Sequence, residues 1–261
     1  MLDVPEPPGP NTLTVLGCDG GYAGPGGAGS GYLVECGPTT IWVDAGPGTF
    51  ANLQQVCDPG IVDAVVLSHE HPDHWSDIES FAVWLMQAGR GRVVSVHAPP
   101  GLRARSYFAE SPVLDWRETA PARDLTIGTL TCRFVATDHG PPTHGLRLDP
   151  TGPAGAAAGE APDLTRSLAY SADSGPDWSV AELGLGIGTF LCEATYLADQ
   201  EGTNRHLSGR QAGSMAAAAR VGRLVLTHRS PTVSADALAA EADVAFGRPV
   251  LQAAIGRVFE W

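Results

Sequence analysis

The segment Ser68-His69-Glu70-His71-Pro72-Asp73-His74 concentrates three imidazoles and two carboxylates in seven residues. It follows the apolar run Asp63-Ala64-Val65-Val66-Leu67, which has the composition of a buried strand. The first two histidines are two residues apart, so in extended backbone their side chains lie on one face. The aspartate and the last histidine then turn the chain and can serve a second ion. The pattern predicts a metal site at a strand end, suited to zinc and, where carboxylates add oxygen ligands, to manganese or iron. The alternative is a polar loop that only starts the helix near Trp75.

Three other strand-like segments are also followed by a residue that can bind metal. The segments and the residues that follow them are 130–136 with His139, 167–172 with Asp173, and 223–226 with His228. Each is weak evidence alone, because a lone histidine past a strand is more often a hydrogen-bonded loop residue. Together they repeat one design, in which a strand delivers one metal-competent side chain at its C-terminal end. The sequence permits His144 instead of His139. We predict His139, since it directly follows the strand, and expect His144 to line the pocket or support the loop.

These motifs resemble those of metallo-β-lactamase-fold hydrolases in the ribonuclease Z-like phosphodiesterase branch. The resemblance covers nearly the whole chain, from Thr14 to His228. It rests on the first histidine motif, on residues 139–147, on the early strand 41–46, and on residues 170–175, where Gly and Thr are more usual than Ala172 and Ser174. The implied fold is α/β, a four-layer αββα sandwich, which we expect to form a single domain over residues 1–261.

The resemblance also implies a centre of two divalent ions, zinc or alternatively manganese. One ion would be held by His69, His71 and His139, the other by Asp73, His74 and His228, with Asp173 bridging the two. Asp44 would brace the metal loop from behind. A hydroxide shared by the ions would attack phosphorus, and Asp73 could orient that hydroxide while it binds metal.

Two further segments, 191–195 and 206–208, resemble the paired motifs of the same branch. There, a histidine of the second motif donates a proton to the leaving oxygen and is held by the glutamate of the first. Carried over to this chain, the donor is His206 and its partner is Glu193. The alternative is that His206 only precedes a capped helix and that Glu193 is a surface acid. Cys192 stands where ribonuclease Z usually has a histidine, so part of the tRNA enzyme's apparatus is missing.

Chain length and charge favour a small substrate. Ribonuclease Z carries a long arm between the motif that corresponds to residues 139–147 and its bridging aspartate, and the interval from His139 to Asp173 has no room for one. The net charge is −13 and every basic residue is arginine, so a basic stripe for long nucleic acid is not evident. The alternative is that the acidity serves solubility alone and says nothing about the substrate. The closest pattern is that of short actinobacterial-type cyclic-nucleotide phosphodiesterases. We therefore predict hydrolysis of a small phosphodiester such as 3′,5′-cyclic AMP. The alternatives are a tRNA 3′ endonuclease and a lactonase- or thioesterase-type metallohydrolase.

The composition predicts a folded cytoplasmic enzyme. Hydrophobic residues make up 43% of the 261 residues and charged residues 17%, which indicates a well-buried core. No apolar run approaches the ~20 residues needed to span a membrane, and the acidic, proline-rich residues 1–8 do not form a secretory signal. Five scattered cysteines predict reduced thiols. We expect no membrane contact, and a homodimer is the candidate assembly.

Periodicity and turn residues predict the order of the elements. Strands are expected near 12–17, 31–36, 40–44, 64–68, 93–97, 124–127, 130–136, 145–148, 167–172, 189–192, 223–227 and 250–255. Helices are expected near 49–57, 75–88, 100–107, 177–184, 208–220 and 234–245. Glycine-rich residues 19–30 and low-complexity residues 149–163 predict flexible loops. We expect the first loop, with Arg147 or Arg229, to rim the substrate cleft, and His97 to be a loop or supporting residue.

Overall fold

The strands of the described residues form two seven-stranded sheets. A computed structural model describes residues 10–89, 91–151 and 163–261. The first sheet contains β1 (Thr12–Gly17), β2 (Gly31–Cys36), β3 (Thr39–Ala45), β4 (Ala64–Val66), β5 (Val94–Ala98), β6 (Leu114–Glu118) and β14 (Val258–Glu260). The second contains β7 (Leu125–Ile127), β8 (Leu130–Ala136), β9 (His144–Pro150), β10 (Leu168–Tyr170), β11 (Thr189–Glu193), β12 (Arg223–Thr227) and β13 (Leu251–Gln252). The α-helices are α1 (Thr49–Val56), α2 (Pro72–Trp75), α3 (Asp77–Gln87), α4 (Gly209–Ala218) and α5 (Ala235–Phe246).

The two sheets have the same plan. The first has the order β14-β1-β2-β3-β4-β5-β6, antiparallel up to β3 and parallel from β3 to β6. The second has the order β13-β12-β11-β10-β9-β8-β7, parallel from β13 to β10 and antiparallel from β10 to β7. Parallel strands end at one edge of their sheet, which is where α/β folds place their ligands. The segments that follow β4, β10, β11 and β12 therefore converge.

Three apolar layers hold the sandwich together. One lies between the sheets and includes Val34, Phe134 and Leu191. A second lies between the first sheet and the helices α1 and α3, where Trp42 and Phe81 pack edge to face at 5.5 Å. A third lies between the second sheet and the helices α4 and α5. The predicted four-layer α/β sandwich is confirmed.

Most predicted strands form within one or two residues of the expected bounds, whereas several helices differ. The helix expected over 75–88 begins at Pro72 and is divided into α2 and α3 at Ser76. The segments 100–107 and 177–184 form only the short 3-10 helices Leu102–Arg105, directly after Gly101, and Val180–Glu182, next to the glycine-rich residues 184–188. The expected strand 167–172 ends at Tyr170, and the expected strand 250–255 is only β13.

Of the two loops predicted to be flexible, residues 19–30 lie within the described residues and most of 149–163 do not. Residues 19–30 carry several hydrogen bonds: the amides of Cys18 and Asp19 donate to the carbonyl of Ala28, and the Asp19 carboxylate accepts from the amide of Gly24 at 2.9 Å. Their mobility stays a prediction. Residues 152–162 lie outside the described residues, and 149–150 belong to β9. Within the described part of the chain, no helix is long and apolar enough to cross a membrane.

Candidate metal centre

The seven predicted ligands meet where the two sheets face each other. The first motif follows β4, and His139, Asp173 and His228 follow β8, β10 and β12. The first cluster consists of His69, His71, His139 and Asp173, and the second of Asp73, His74 and His228. Within each cluster, the candidate ligand atoms lie within 4.8 Å of one another. Each cluster combines side chains from both sheets.

Asp173 faces both clusters, one with each carboxylate oxygen. Its Oδ2 lies 3.5 Å from Nε2 of His69 and 3.7 Å from Nε2 of His139. Its Oδ1 lies 3.2 Å from Nε2 of both His74 and His228. This is the arrangement expected of a carboxylate that bridges two ions.

The spacing of these atoms fits small divalent cations. Four ligands about 2.0–2.1 Å from a tetrahedral zinc lie about 3.3 Å apart, close to the 3.2–3.7 Å observed around Asp173. Three buried atoms of the clusters have no hydrogen-bond partner among the described residues, namely Nε2 of His69, Nε2 of His74 and Oδ1 of Asp173. Buried polar atoms without partners are destabilising. Bound cations would satisfy all three.

The metal loop is held from behind by Asp44. Its Oδ2 accepts Nδ1–H of His74 at 2.8 Å and the Ser68 hydroxyl at 2.8 Å, and its Oδ1 accepts the Ser68 amide at 2.7 Å. Because the Ser68 proton goes to Asp44, its oxygen accepts Nδ1–H of His69 at 3.0 Å. Both hydrogen bonds leave Nε2 as the ring nitrogen that faces the clusters, which is the orientation that metal-binding histidines require.

Thr195 and Arg205 fix two further histidines in the same way. The Thr195 hydroxyl donates to Glu193 at 2.8 Å, so its oxygen accepts Nδ1–H of His228 at 2.9 Å. Nδ1 of His139 lies 3.3 Å from the carbonyl oxygen of Arg205. His71 instead turns Nδ1 toward Nε2 of His139, at 3.1 Å.

The glycine-rich loop contacts the second cluster directly. The amide of Gly21 donates to Oδ2 of Asp73 at 2.7 Å, and the amide of Ser30 donates to the Asp73 carbonyl at 3.0 Å. A Cβ atom on Gly20 would collide with the carbonyl and the ring of His228. His228 itself adopts a φ of +54°. Both ends of the loop therefore position ligands of the second cluster.

The environment favours protonation states that bind cations. Burial and the neighbouring His74 hold the pKa of His69 well below its usual value, so His69 is neutral. Burial raises the pKa of Asp173, but His228, His74 and His69 outweigh this and hold it well below its usual range. Asp173 is therefore an anion. Asp173 and Asp44 raise the pKa of His74 despite its burial, so a cation would displace a proton there.

His206 and Glu193 form a pair beside both clusters. Nδ1 of His206 lies 2.9 Å from Oε1 of Glu193 and 4.0 Å from Oδ2 of Asp173, and its ring centroid lies 5.2–5.3 Å from those of His139 and His228. Glu193 is fully buried and also accepts bonds from Thr195 and from the amides of Ser174 and Leu207. It is therefore not a surface acid, although Ser208 does cap α4 as the alternative held. Burial lowers the pKa of His206, but the Glu193 carboxylate raises it to about 9.

Other candidate residues lie away from the clusters or serve the fold. His144 bonds the Thr119 hydroxyl at 2.8 Å, so the structure brings His139 and not His144 to the site. His97 lies inside β5 rather than in a loop. The expectation that Arg147 rims the cleft is wrong, because its buried guanidinium pairs with Asp149 at 2.9 Å. Arg229 instead donates to the carbonyls of Ser230 and Val233 and holds its own loop.

Sequence reasoning missed an arginine at the mouth of the site. Arg205 directly precedes His206, its side chain is 67% exposed, and its nearest carboxylate contact is a long one, 3.9 Å to Asp138. Its position next to the candidate proton donor was the available signal. Thr195, which supports His228, was also missed. The sequence signal for Thr195 was its position two residues after Glu193 at the end of β11. Alternate residues of a strand share a face, so Thr195 is expected on the same side as Glu193.

Ala172 departs from the family pattern, which usually has glycine at this position. It has a φ of +53°, a left-handed conformation that favours glycine, which is the residue usual at this position. The turn that delivers Asp173 is therefore retained with an alanine in a strained conformation.

Comparison with known proteins agrees with this geometry. Residues 39–229 match the family described as the Beta-lactamase superfamily domain. The uncharacterized protein Rv1339 of Mycobacterium tuberculosis is 35% identical and the match covers 95% of this chain and 91% of that protein. Ribonuclease Z of Kineococcus radiotolerans is 29% identical, over 90% of this chain and 89% of its own length.

The probable metallo-hydrolase YhfI of Bacillus subtilis is similar in both sequence and structure. It is 29% identical over 95% of this chain and 99% of its own length. Its crystal structure, described as a metallo-beta-lactamase fold protein, matches with a TM-score of 0.85 at 27% identity and covers 97% of this chain and 99% of that one. The chain therefore belongs to the metallo-β-lactamase superfamily and is a metal-dependent hydrolase.

Proposed function

We propose that this protein is a two-metal phosphodiesterase for small substrates, with 3′,5′-cyclic nucleotides such as cyclic AMP as the leading class. The observation that carries the proposal is the His206–Glu193 pair beside both clusters, with a 2.9 Å hydrogen bond and a fully buried carboxylate. A phosphodiester needs a proton for its leaving oxygen, and a positioned imidazolium supplies it. A thioester does not require a histidine held in this way beside the ligands, because its thiolate leaves without a proton.

Two divalent ions, zinc or manganese, would polarise the phosphoryl oxygens and lower the pKa of a bound water so that a nucleophile exists at neutral pH. The chain provides the seven side chains of the two clusters for them, with Asp173 between. Asp73, anchored by the Gly21 amide, can accept a hydrogen bond from the attacking water and orient it.

His206 then acts as the general acid. Its Nδ1–H stays with Glu193, so the proton that leaves is the one on Nε2. That proton goes to the ester oxygen as its bond to phosphorus breaks, which in a 3′,5′-cyclic nucleotide releases a free hydroxyl. The Glu193 carboxylate stabilises the imidazolium before transfer. Its buried position makes that interaction stronger than it would be in water.

The surroundings of the site support a small substrate. The net charge is −13, which disfavours long polyanions because their binding depends on many cationic contacts. Arg205, exposed and next to His206, is the cation best placed to meet a non-bridging phosphate oxygen. One such contact suits a single phosphodiester.

A substrate panel tests the proposal. Zinc- or manganese-loaded protein is assayed against cyclic AMP, cyclic GMP, bis(p-nitrophenyl) phosphate, a precursor tRNA, a lactone, a thioester and a β-lactam. We expect turnover of the small diesters and far weaker cleavage of the tRNA. Brisk hydrolysis of an acyl substrate with no phosphodiester turnover would overturn the proposal. Accurate cleavage at a tRNA 3′ end at moderate salt would replace it with the ribonuclease function.

A further inference from the structure

Each metal cluster takes ligands from both sheets, so its geometry depends on the distance between the sheets. The first cluster joins His69 and His71, after β4 of the first sheet, to residues delivered by the second sheet. The second cluster joins Asp73 and His74 to His228, after β12 of the second sheet. Ligand atoms 3.2–3.7 Å apart tolerate little change before an ion loses a ligand. The contacts between the sheets beneath the clusters therefore matter for metal binding.

Tyr170 makes one such contact. It lies in β10 of the second sheet and is 3% exposed, and its hydroxyl donates to Oδ2 of Asp44 in β3 of the first sheet at 2.8 Å. The same oxygen accepts Nδ1–H of His74. The hydroxyl of Tyr170 thus reaches across the sandwich to the carboxylate that orients a ligand of the second cluster.

Tyr32 makes the reciprocal contact. It lies in β2 of the first sheet, is fully buried, and its hydroxyl is 2.6 Å from Oγ1 of Thr227 in β12 of the second sheet. Thr227 directly precedes His228. The rings of Tyr32 and Tyr170 pack edge to face with centroids 5.2 Å apart, so the two contacts form one unit.

We propose that Tyr32 and Tyr170, the tyrosine pair, set the spacing of the two sheets beneath the clusters and thereby raise the affinity of both clusters for metal. They are positioning residues, since each acts through another residue on a ligand. The inference rests on the proposed metal clusters. Phenylalanine would fill the same apolar space, so packing alone does not require the hydroxyls, and a buried hydroxyl without a partner is destabilising.

Water cannot take over the role of these hydroxyl contacts. An apolar cavity of about 10 Å³ lies beside the pair and is lined by side chains such as Val43, Leu146 and Leu191. A buried water needs about that volume and also two or more polar partners. Direct contact across the sandwich is therefore the arrangement that satisfies the hydroxyls.

The opposite end of the sandwich supplies a matched control. Thr129, between β7 and β8, joins the sheets there: its hydroxyl donates to the carbonyl of Cys36 at 2.6 Å and its amide donates to the Thr39 hydroxyl at 2.8 Å. This contact also crosses between the sheets, but it lies at the start of β8, whereas the clusters lie beyond the strand's end. Thr129→Val therefore removes a hydrogen bond between the sheets without touching a ligand's support.

The experiment compares zinc affinity with stability. Affinity of the metal-free protein for Zn²⁺ is measured by competition with a chromophoric chelator, and unfolding of the metal-free protein is measured in urea. Tyr170→Phe and Tyr32→Phe are each expected to weaken zinc binding about 10-fold, the lower end of the range for residues that hydrogen-bond a metal ligand directly. Thr227→Val should weaken zinc binding as much as Tyr32→Phe does. A protein with both Tyr32→Phe and Thr227→Val should bind zinc no more weakly than either single variant, because both changes remove the same contact. Thr129→Val should lower stability and leave zinc affinity within about twofold.

Two outcomes would contradict the inference. Tyrosine variants that lose stability as Thr129→Val does, but keep wild-type zinc affinity, would overturn the inference and leave the proposed function intact. Wild-type protein that binds neither Zn²⁺ nor Mn²⁺ would overturn the proposed function itself, and the inference with it. Should Tyr170→Phe fail to fold, Tyr32→Phe and Thr227→Val decide the question through the other contact.

Discussion

The hydroxyl of Thr195 lies 2.9 Å from Nδ1 of His228 and 2.8 Å from Oε2 of Glu193. One short side chain therefore joins a ligand of the second cluster to the carboxylate that holds His206. Because the hydroxyl proton is committed to Glu193, the threonine oxygen selects the Nδ1–H form of His228. Thr195 therefore supports both the second metal cluster and the His206–Glu193 pair.

Thr195→Val is expected to weaken zinc binding by about 10- to 100-fold, because His228 loses the partner that fixes its tautomer and ring orientation. Thr195→Ser keeps the hydroxyl and is the control. The measurement is chelator competition on the metal-free protein. Equal zinc affinity in the valine and serine variants would show that Thr195 does not orient His228.

His206→Ala is expected to reduce turnover of small phosphodiesters by about 10²–10³, the range for loss of a general acid. Two bound ions should remain, because the two clusters keep all their predicted ligands. Steady-state kinetics and metal analysis are made on the same sample. His206 also lies near His228 and Asp173 in a third group that could bind a cation. A variant that loses an ion along with its activity would make His206 a ligand rather than a proton donor.

Asp173→Ala should lower the content of both ions, whereas His139→Ala should chiefly lower one. The reason is geometric: Asp173 turns one oxygen to each cluster, and His139 belongs to the first cluster alone. Metal content after dialysis, measured by mass spectrometry, distinguishes them. His144→Ala is the control, since His144 bonds Thr119 instead. Equal losses in the two site variants would contradict the bridging arrangement.

Arg205→Gln is expected to raise KM for small diesters about 3- to 10-fold, with kcat nearly unchanged, because exposed charge interactions are worth on the order of 1 kcal/mol. Asp138→Asn should lower KM, since it removes the carboxylate 3.9 Å from the guanidinium. Arg133→Gln, in an ion pair with Asp124, is the control for lost surface charge. An unchanged KM for Arg205→Gln would remove it from the substrate site.

His97 is expected to make stability depend on pH. Burial, and then the charge of Arg117, lower the pKa of His97 from 6.5 to about 4. The folded state therefore favours neutral His97, and this stabilisation is complete above pH 6.5 and is lost as the pH falls toward 4. Between these values the free energy of unfolding of wild type should fall relative to His97→Gln, by at most about 1.4 kcal/mol per pH unit. Urea unfolding of the metal-free proteins measures it, and parallel curves would contradict the assignment.

The sequence predicted the strands that deliver the ligands because their apolar runs are continuous and end in distinctive side chains. β6 and β14 were missed. β6 is an edge strand, and its Asp115, Arg117 and Glu118 are exposed, so it lacks an apolar run. β14 has only three residues, and one of them, Phe259, is buried. Their pairing is decided by neighbouring strands that are distant in sequence.

The supporting residues of the site were harder to predict than the candidate ligands. Thr195, Tyr32 and Gly21 have common residue types, and their importance comes from contacts with residues 33, 195 and 52 positions away. Arg147 was misassigned because the sequence does not reveal that its side chain is buried, where it pairs with the nearby Asp149 and bonds the distant Leu183 carbonyl. Only tertiary structure distinguishes such an arginine from the exposed Arg205.

The pairing of β14 with β1 bears on how this chain is assembled during synthesis. Thr12 lies opposite Glu260 in this ladder, and every other strand is made between them. The first sheet therefore cannot be completed until the second has emerged from the ribosome, and the two halves cannot mature one after the other as independent units. Contacts of such large sequence separation slow folding. The edge of β1 consequently stays unpaired until the last strand is made, and an unpaired edge is a template for aggregation.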